Sequence, residues 1–435
     1  MKNIVILCTA ILLLVTCKAR TQDTGRTDAG TRDSTVTTAT TGKQIRKGSR
    51  TAKTDAGTRD STVATAMTVK PVVNVYIENS ISMDGYVKGV TEFEEAIHRY
   101  LAYIKKEKIA DSLNLFYINS IVLKQKDDVE AFIKNLEPAY FKREGEMKGG
   151  NRKTSDISNV IKLTLEKTDE NDIAILVTDG IFSPGKKDAK AYLLGQETEI
   201  MENMSRHLDK YPNTAVIVYQ LFSKFNGTYF NYQDANIPHN GQRPYYIYIF
   251  GQAKYLAELR RKIPESSFEG GGVKKMFSIS AENQQVDYAV IRGSGRFDIL
   301  RNSKTDIINL KKDSRSGNVT FAITANFQNL LLDEGYLTNP DNYELKDYSL
   351  KIKKNENSGR YTLSLQPQDN NPHKGAVTLK LKMATPDWSD VNDDDGATAV
   401  AGKTFGIKYQ IQGIFNAYTH PGKQAYYTEI KINIK

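Results

Sequence analysis

Two short apolar runs in the first half of the chain each end abruptly in polar residues. The first run, Val72–Ile77, is rich in β-branched and aromatic residues and is interrupted only by Asn74. The second run, Ile173–Val177, is entirely aliphatic. Continuous apolar runs of this length predict strands that are buried on both faces, as in a parallel sheet. The two runs therefore predict two central strands of one sheet.

Segments with apolar residues at helical spacing alternate with the predicted strands. Thr91 and Glu94 form a capping box at the start of one helix. Its apolar stripe comprises Phe93, Ala96, Ile97, Tyr100, Leu101 and Ile104. Further helices are predicted at 129–136, 157–165, 189–208 and 252–263, and further strands at 113–118, 121–124, 214–221 and 245–250. This alternation predicts an α/β fold with a doubly wound, mainly parallel sheet at 71–265.

The helical spacing disappears beyond the triple glycine Gly270-Gly271-Gly272. Alternation of apolar and polar residues predicts strands at 318–325, 348–352, 361–365, 376–383, 404–411 and 426–434. Turn-rich segments separate them, which predicts an antiparallel β-sandwich with an immunoglobulin-like layout at 273–435. The triple glycine predicts a hinge between the two domains.

The chain begins with a short apolar run, Ile4–Val15, which is too short to span a bilayer and predicts a signal peptide at 1–17. Leu14-Val15-Thr16-Cys17 resembles a bacterial lipobox, and the resemblance implies a lipid on Cys17. An ordinary signal peptide is the alternative. We expect an exported protein that a lipid anchors in the bacterial cell envelope, at the outer membrane. With Cys8 removed and Cys17 lipidated, the mature chain would have no free thiol for a disulfide or a zinc site.

Residues 18–70 contain almost no aliphatic residues and include the sequence TDAGTRDSTV twice, at 27–36 and 54–63. This composition cannot bury enough apolar surface to fold, so it predicts a disordered tether. The tether has eleven Lys and Arg residues against five Asp residues, a net charge of +6 of the chain's +9. We expect it to be attracted to an anionic membrane surface, and we find no nucleic-acid-binding motif.

Oxygen-bearing side chains follow both buried runs. Glu78, Ser80 and Ser82 come after the first run, and Asp179 comes after the second. Between them, the polar loop 149–156 runs into a helix and contains Thr154 and Ser155. Ligand sites of open α/β sheets lie at the carboxyl ends of strands, and hard cations prefer oxygen ligands. A serine-rich turn and a helix cap are the structural alternatives.

The order strand, ExSxS, Thr/Ser loop, strand and TDG resembles the von Willebrand factor type A domain over about residues 70–265. That family carries a metal-ion-dependent adhesion site. The resemblance implies that Ser80 and Ser82 are direct ligands, that Ser155 or Thr154 supplies a third hydroxyl, and that Asp179 is the distal carboxylate. Glu78 stands where the family has Asp. The implied cofactor is a divalent cation (Mg²⁺, Mn²⁺ or Ca²⁺), and the implied partner is a protein that offers an acidic side chain.

Two residues depart from the family pattern. Glu78 is longer than Asp, and Ile81 replaces a small residue. The longer carboxylate disturbs the near-octahedral geometry that Mg²⁺ demands, which favours Ca²⁺ or Mn²⁺.

The sequence favours a binding protein over an enzyme. It contains no HExxH, GxSxG or Walker motif, and its five histidines are scattered. Two alternatives stay open: a metal-dependent hydrolase with Ser80 or Thr154 as nucleophile, and a scaffold with a degenerate, metal-free site. The acidic loop 387–396 fails the EF-hand pattern, and we expect it to be solvated.

Overall fold

The computed structural model describes residues 70–153, 156–183, 188–231, 235–280, 285–394, 401–419 and 425–435. The predicted signal peptide, Cys17 and the tether through residue 69 lie outside the described residues, as do Thr154 and Ser155. From residue 70 onward the described chain belongs to one compact unit. Within these ranges no helix combines the length and the apolar character needed to cross a bilayer.

Strands and helices alternate in the first half of this unit, and strands dominate the second half. The strands are β1 (Val72–Glu78), β2 (Ser112–Ile118), β3 (Val122–Lys124), β4 (Asp172–Thr178), β5 (Thr214–Phe230), β6 (Asn236–Gln252), β7 (Lys275–Ser280), β8 (Asp287–Val290), β9 (Arg296–Ile299), β10 (Asp306–Lys311), β11 (Phe321–Asn326), β12 (Tyr343–Leu345), β13 (Tyr348–Lys354), β14 (Tyr361–Pro367), β15 (Gly375–Lys382) and β16 (Tyr426–Ile434). The helices are α1 (Glu92–Lys106), α2 (Val129–Lys134), α3 (Pro138–Glu146), α4 (Ile157–Glu166), α5 (Ala189–Lys210), α6 (Ala253–Lys262), α7 (Glu334–Thr338), α8 (Asp387–Val391) and α9 (Ile407–Thr419).

The largest sheet has seven strands in the order β3-β2-β1-β4-β6-β5-β7. The prediction of a mixed α/β fold is therefore confirmed, with β1 and β4 as adjacent strands at the centre. The prediction of a mainly parallel sheet is wrong, because only β1 with β2 and β1 with β4 are parallel pairs of this sheet. The reason is that β5 and β6 form one long hairpin of 17 residues in each strand, so that β6 runs antiparallel to β4.

Helices cover both faces of the seven-stranded sheet. On one face the apolar side chains of α1, α2, α3 and α6 pack in one cluster with Val75, Ile77 and Ile175 of the central strands. On the other face α4, α5 and α9 pack with Tyr76 and Leu176. The alternate direction of successive side chains along a strand explains this division. The burial of both faces accounts for the continuous apolar runs of β1 and β4.

Two smaller sheets follow. One has five strands in the order β12-β15-β16-β10-β9, and the other has four in the order β13-β14-β11-β8. Their described pairs are antiparallel except β10 with β16. Apolar residues of both sheets, such as Ile323 and Leu379, belong to the same cluster as α5 and α9. The apolar core is therefore continuous from the large sheet into the strand-rich half.

Two predictions for the second half need correction. The segment predicted as a strand at 404–411 forms the start of helix α9, because Ile407, Ile411 and Ile414 recur at helical spacing and pack with α5. The predicted boundary at the triple glycine is also wrong, since β7 lies beyond the glycines and pairs with β5 as the seventh strand of the large sheet. The described chain does not divide into units at 71–265 and 273–435.

Candidate functional site

The carboxyl ends of β1 and β4 lie side by side. Ile77 pairs with Val177 in the parallel ladder, so the next residues, Glu78 and Thr178, stand at the same level. The Thr178 hydroxyl donates a hydrogen bond to Oε2 of Glu78. The hydroxyl oxygen of Thr178 in turn accepts from the backbone N–H of Gly180 at 2.8 Å. Glu78 and Thr178 are fully buried, so the strand ends carry a carboxylate into the protein interior.

The two serines lie on the turn that follows β1. Ser82 belongs to a 3₁₀ turn, Ile81–Gly85, and Ser80 is the residue before that turn. Their hydroxyl oxygens are 3.0 Å apart. The Ser82 hydroxyl is near enough to Asp179 to lower the pKa of that carboxyl. Four of the six predicted site residues, Glu78, Ser80, Ser82 and Asp179, are therefore neighbours, and the other two lie outside the described residues.

A buried arginine holds this turn in place. The Nε of Arg152 donates to the carbonyl oxygen of Asn79 at 2.7 Å, and its guanidinium also pairs with Asp84. The carbonyl oxygen of Arg152 accepts from the N–H of Ile81 at 3.0 Å. The loop that carries Thr154 and Ser155 is thus bonded directly to the serine turn. Arg152 lies in the polar loop 149–156, but nothing in the sequence pattern marks it as part of the site.

The Asp179 carboxyl is fully buried, and its environment disfavours ionisation. Burial raises its pKa, and the charge of the nearby Glu78 raises it further. The Ser82 hydroxyl, the Ile181 N–H and the charge of Arg243 act in the opposite direction. Oδ1 accepts from the Ile181 N–H at 3.1 Å, whereas Oδ2 has no hydrogen-bond partner among the described residues. An ionised Asp179 therefore needs a further positive charge or donor at Oδ2.

Arg243 brings a buried positive charge to this end of the sheet. Its side chain is fully buried on β6. Its Nη1 donates to the carbonyl oxygen of Lys403 at 2.6 Å, and its guanidinium stacks 3.9 Å from the centre of the Tyr229 ring. Arg243 lies in a polar stretch with no apolar pattern, and only the pairing of β5 with β6 brings it near Asp179.

A two-stranded extension of the sheet packs over the serine turn. We call it the ribbon arm: residues 222–230 of β5 and 236–244 of β6, which pair with each other beyond the last pair between β4 and β6. Phe225 of the arm lies against Gly85, where an added Cβ would be 2.3 Å from the phenylalanine ring. A Cβ on Gly227 would lie 2.8 Å from the Gly85 Cα. The absence of side chains at the two glycines permits this close approach.

The first turn of α9 and the residues just before it pack on the loop after β4. The Gln410 side chain donates to the carbonyl oxygen of Gly180 at 2.6 Å and accepts from the Tyr248 hydroxyl at 2.6 Å. The N–H of Phe182 donates to the carbonyl oxygen of Phe405 at 3.4 Å. Together with the ribbon arm, this segment leaves Asp179 and Glu78 fully buried and Ser82 only 4% exposed.

Asp393 and Asp394, in the loop predicted to be solvated, are largely removed from solvent. Asp394 is 5% exposed and accepts from the Tyr229 hydroxyl at 2.6 Å. Oδ1 of Asp393 accepts from the N–H of Gly406 at 2.8 Å, next to the start of α9. The prediction of a solvated loop is wrong for these two residues, because they join the loop to the ribbon arm and to α9. Asp395 and Gly396 lie outside the described residues.

The donor set fits a divalent cation. It comprises two carboxylates and two hydroxyls, which are hard oxygen ligands, and it includes the buried Oδ2 of Asp179 without a hydrogen bond. In the described ranges there is no group of three or more His, Cys, Asp or Glu side chains that could hold a metal. A cation here would therefore depend on hydroxyl ligands as well as carboxylates.

Among the described residues, the Ser80 hydroxyl makes no direct hydrogen bond to a histidine or a carboxylate. It pairs with the hydroxyl of Ser82, while the rings of His207, His239 and His373 contact Tyr211, Phe225 and Asp369 respectively.

Comparison of the chain with protein-family models, with curated proteins and with solved structures finds no match.

Proposed function

We propose that the chain is a non-enzymatic binding protein of the bacterial cell envelope with an internal divalent-cation site at the ends of β1 and β4. The single observation that carries the proposal is the buried, unpartnered Oδ2 of Asp179 beside Glu78, Ser80 and Ser82. The adjacent parallel strands and the helices on both faces support a type A-like arrangement of residues 71–265. The two smaller sheets, which share an apolar cluster, support a β-sandwich with an immunoglobulin-like layout.

The electrostatics of the site favour a cation. Removing two carboxylates from water is costly, and their mutual repulsion adds to that cost unless a positive charge lies between them. A divalent ion ligated by Glu78 and Asp179 would offset both costs. The length of Glu78 favours Ca²⁺ or Mn²⁺ over Mg²⁺, because the larger or less demanding ions tolerate irregular geometry. The partner would be a protein that contributes an acidic side chain to the ion.

Thermal unfolding of the native chain in EDTA and in Mg²⁺, Mn²⁺ or Ca²⁺ tests the proposal. A cation at a hundredfold its dissociation constant should stabilise the native state by about 2.7 kcal/mol. Asp179→Ala and Asp179→Asn should abolish this stabilisation, and Glu78→Asp should strengthen the response to Mg²⁺. Asp172→Ala, at the other end of β4, is the matched control and should keep the response. The absence of a shift with all three ions in the native chain would refute the cation site.

Arg243 supports a second candidate, a scaffold protein without a metal. Its buried guanidinium lowers the pKa of Asp179 and could supply the positive charge on its own. In that case Arg243→Met should destabilise the protein by about 3 kcal/mol or more, whatever ion is added, because it leaves a buried carboxylate uncompensated. If a cation occupies the site, Ca²⁺ or Mn²⁺ should restore a large part of the stability of Arg243→Met.

Anchoring by a lipid at Cys17 is part of the same proposal. A diacylated cysteine with an added N-acyl chain provides enough apolar surface for stable membrane binding. Cys17→Ser should therefore move the protein from the membrane fraction to the soluble fraction of cells. Retention of the variant in the membrane fraction would contradict lipid anchoring.

A further inference from the structure

Two segments far apart in the sequence meet above the strand ends through buried polar contacts. The Tyr229 hydroxyl of the ribbon arm donates to Oδ2 of Asp394 at 2.6 Å. Arg243 of the arm donates to the carbonyl oxygen of Lys403 at 2.6 Å and stacks on the Tyr229 ring. We call these four residues, Tyr229, Arg243, Asp394 and Lys403, the latch. Three of their side chains are at most 5% exposed: Tyr229, Arg243 and Asp394.

The partner side of the latch is itself fixed. The Lys403 ammonium donates to the carbonyl oxygens of Val391 and Asp393, at 2.6 and 3.2 Å. Asp393 and Thr404 form a parallel β-bridge. Residues 393–394 and 403–404 are therefore bonded to each other, and the arm contacts both of these segments.

The ribbon arm depends on such contacts for its position. A two-stranded ribbon is marginally stable by itself in water. The side chains of Lys224, Asn226 and Gln242 on the arm are exposed, whereas Phe225 and Tyr229 point to the protein. Only one face of the arm thus contributes packing. Charge-assisted hydrogen bonds hold the arm at two places: at the latch, and at the start of α1, where the Lys224 N–H donates to Oε2 of Glu92 at 2.8 Å.

We propose that the ribbon arm is a lid over the Ser82–Asp179 end of the sheet and that the latch holds it closed. Breaking the latch releases the arm from Asp394 and Lys403 and from the serine turn beneath Phe225, which exposes the loop after β4. The latch closes the lid whether or not an ion is bound. A further consequence rests on the proposed function: ion exchange, and contact between the ion and a partner's carboxylate, would occur only in the open state.

Hydrogen–deuterium exchange of the full mature chain tests the lid. Tyr229→Phe removes the hydroxyl that binds Asp394 and keeps the ring that stacks on Arg243. Since a hydrogen bond to a charged acceptor is among the stronger ones, amides of the arm, of 179–183 and of 403–406 should exchange about ten- to a hundredfold faster. The matched control is Tyr426→Phe, which removes a similar 2.6 Å bond to Glu344 at the exposed surface. It should leave these amides unchanged.

Asp394→Asn is a second variant, which weakens the same hydrogen bond by changing its acceptor. It should accelerate amide exchange in the same three segments. The lid is refuted if the amides of the arm exchange faster while those of 179–183 stay protected. It is also refuted if Tyr229→Phe and Tyr426→Phe have the same amide exchange rates in these segments. A uniform acceleration over the whole chain would also refute it, because it would indicate general destabilisation. Release of Mn²⁺ into EDTA, measured in parallel, should be faster in Tyr229→Phe. Faster exchange in a protein that binds no ion would keep the lid and refute the cation site.

Discussion

At the scale of single residues, buried charge distinguishes this molecule. Glu78, Asp179, Arg152 and Arg243 are each at most 3% exposed, and all four lie at the carboxyl end of β1 and β4 or above it. Buried ionised groups are stabilised only by partners, and the concentration of these four in one place is the electrostatic basis of the proposed site. Arg152 is satisfied by Asn79 and Asp84, which assigns it to holding the serine turn.

Asp393 gives a prediction about pH. The pKa of its carboxyl is raised from 3.8 to about 7, chiefly by burial and also by the charge of Asp394, although the N–H groups of Lys408 and Gly406 and the Lys408 charge act in the opposite direction. Because the unfolded chain releases this proton near pH 4, the native state binds more protons between pH 4 and 7. The contribution of Asp393 to stability is therefore complete below pH 4 and is lost as the pH rises through 7.

Asp393→Asn should remove this dependence, since an amide resembles the protonated carboxyl and its oxygen can still accept from Gly406. We expect the variant to be more stable than the native chain by about 2–4 kcal/mol at pH 8 and equal to it near pH 4. Urea unfolding at the two pH values in EDTA measures the difference. Asp390→Asn, at the exposed surface of the neighbouring helix α8, should change stability by less than about 0.5 kcal/mol. A lower stability of Asp393→Asn at pH 8 would contradict the sign of the pKa shift.

The sequence predicts those site residues that follow a recognisable strand. Glu78, Ser80, Ser82 and Asp179 stand directly after the two apolar runs, so the parallel pairing of β1 with β4 brings them together. Thr178 precedes Asp179 in the sequence, but its hydrogen bond to Glu78 follows only from the register of β1 against β4, which the sequence does not reveal. Arg243 could not be predicted, because it reaches the site through a hairpin whose outer half has no apolar pattern.

At the scale of elements, the ribbon arm and α9 are two parts near the site that sequence patterns miss or misassign. The arm contains Pro238, Gly227 and Gly241, and its apolar and polar residues alternate little, so its local sequence preference indicates a loop. Pairing between the two halves of the arm is what makes them β-strands. In 404–411 the apolar residues Phe405, Ile407 and Ile411 fit both a period of two and a helix. Packing on α5 selects the helix, and that partner lies some two hundred residues away.

Gly227 tests the close packing of the arm on the serine turn. Its added Cβ would meet Gly85 Cα at 2.8 Å, a backbone contact that a side-chain movement cannot relieve. Gly227→Ala should therefore destabilise the protein by about 1–3 kcal/mol. Gly195→Ala is the control, because Gly195 lies in α5 with no atom within 4 Å of its added Cβ. It should stabilise the protein by up to about 1 kcal/mol through helix propensity. Equal effects of the two substitutions in urea unfolding would contradict the packing of the arm.

At the scale of the whole molecule, the two halves share structural elements across the triple glycine. β7 completes the large sheet beside β5, and α9 covers one face of that sheet against α5. A fragment that ends at residue 265 would lose both and would expose the edge of β5 and the apolar face beneath α9. The glycines at 270–272, all with positive φ, serve a tight turn into β7 rather than a hinge. Composition alone does not distinguish these two uses.

Trp388, the only tryptophan of the chain, lies at the junction and tests this continuity. Its ring stacks on Tyr246 of β6, and its Nε1 donates to the carbonyl oxygen of Met276 in β7 at 3.1 Å. Trp388 therefore contacts the large sheet although α8 belongs to the strand-rich half of the chain. If residues 70–435 unfold as one unit, tryptophan fluorescence and far-ultraviolet circular dichroism should give coincident urea transitions.

The fragment 71–265 supplies the second measurement, since it should show no cooperative transition and should expose apolar surface that binds a hydrophobic dye. Two separate transitions in the full chain, with a cooperative 71–265 fragment, would instead indicate independent domains. The shared core predicts a single transition in the full chain and no cooperative transition in the fragment. The reason is that the apolar faces of α5 and β6 have their packing partners on α9, beyond the triple glycine. A chain cut at the glycines would leave those faces in water, at a cost of roughly 25 cal/mol for each Å² of apolar surface exposed.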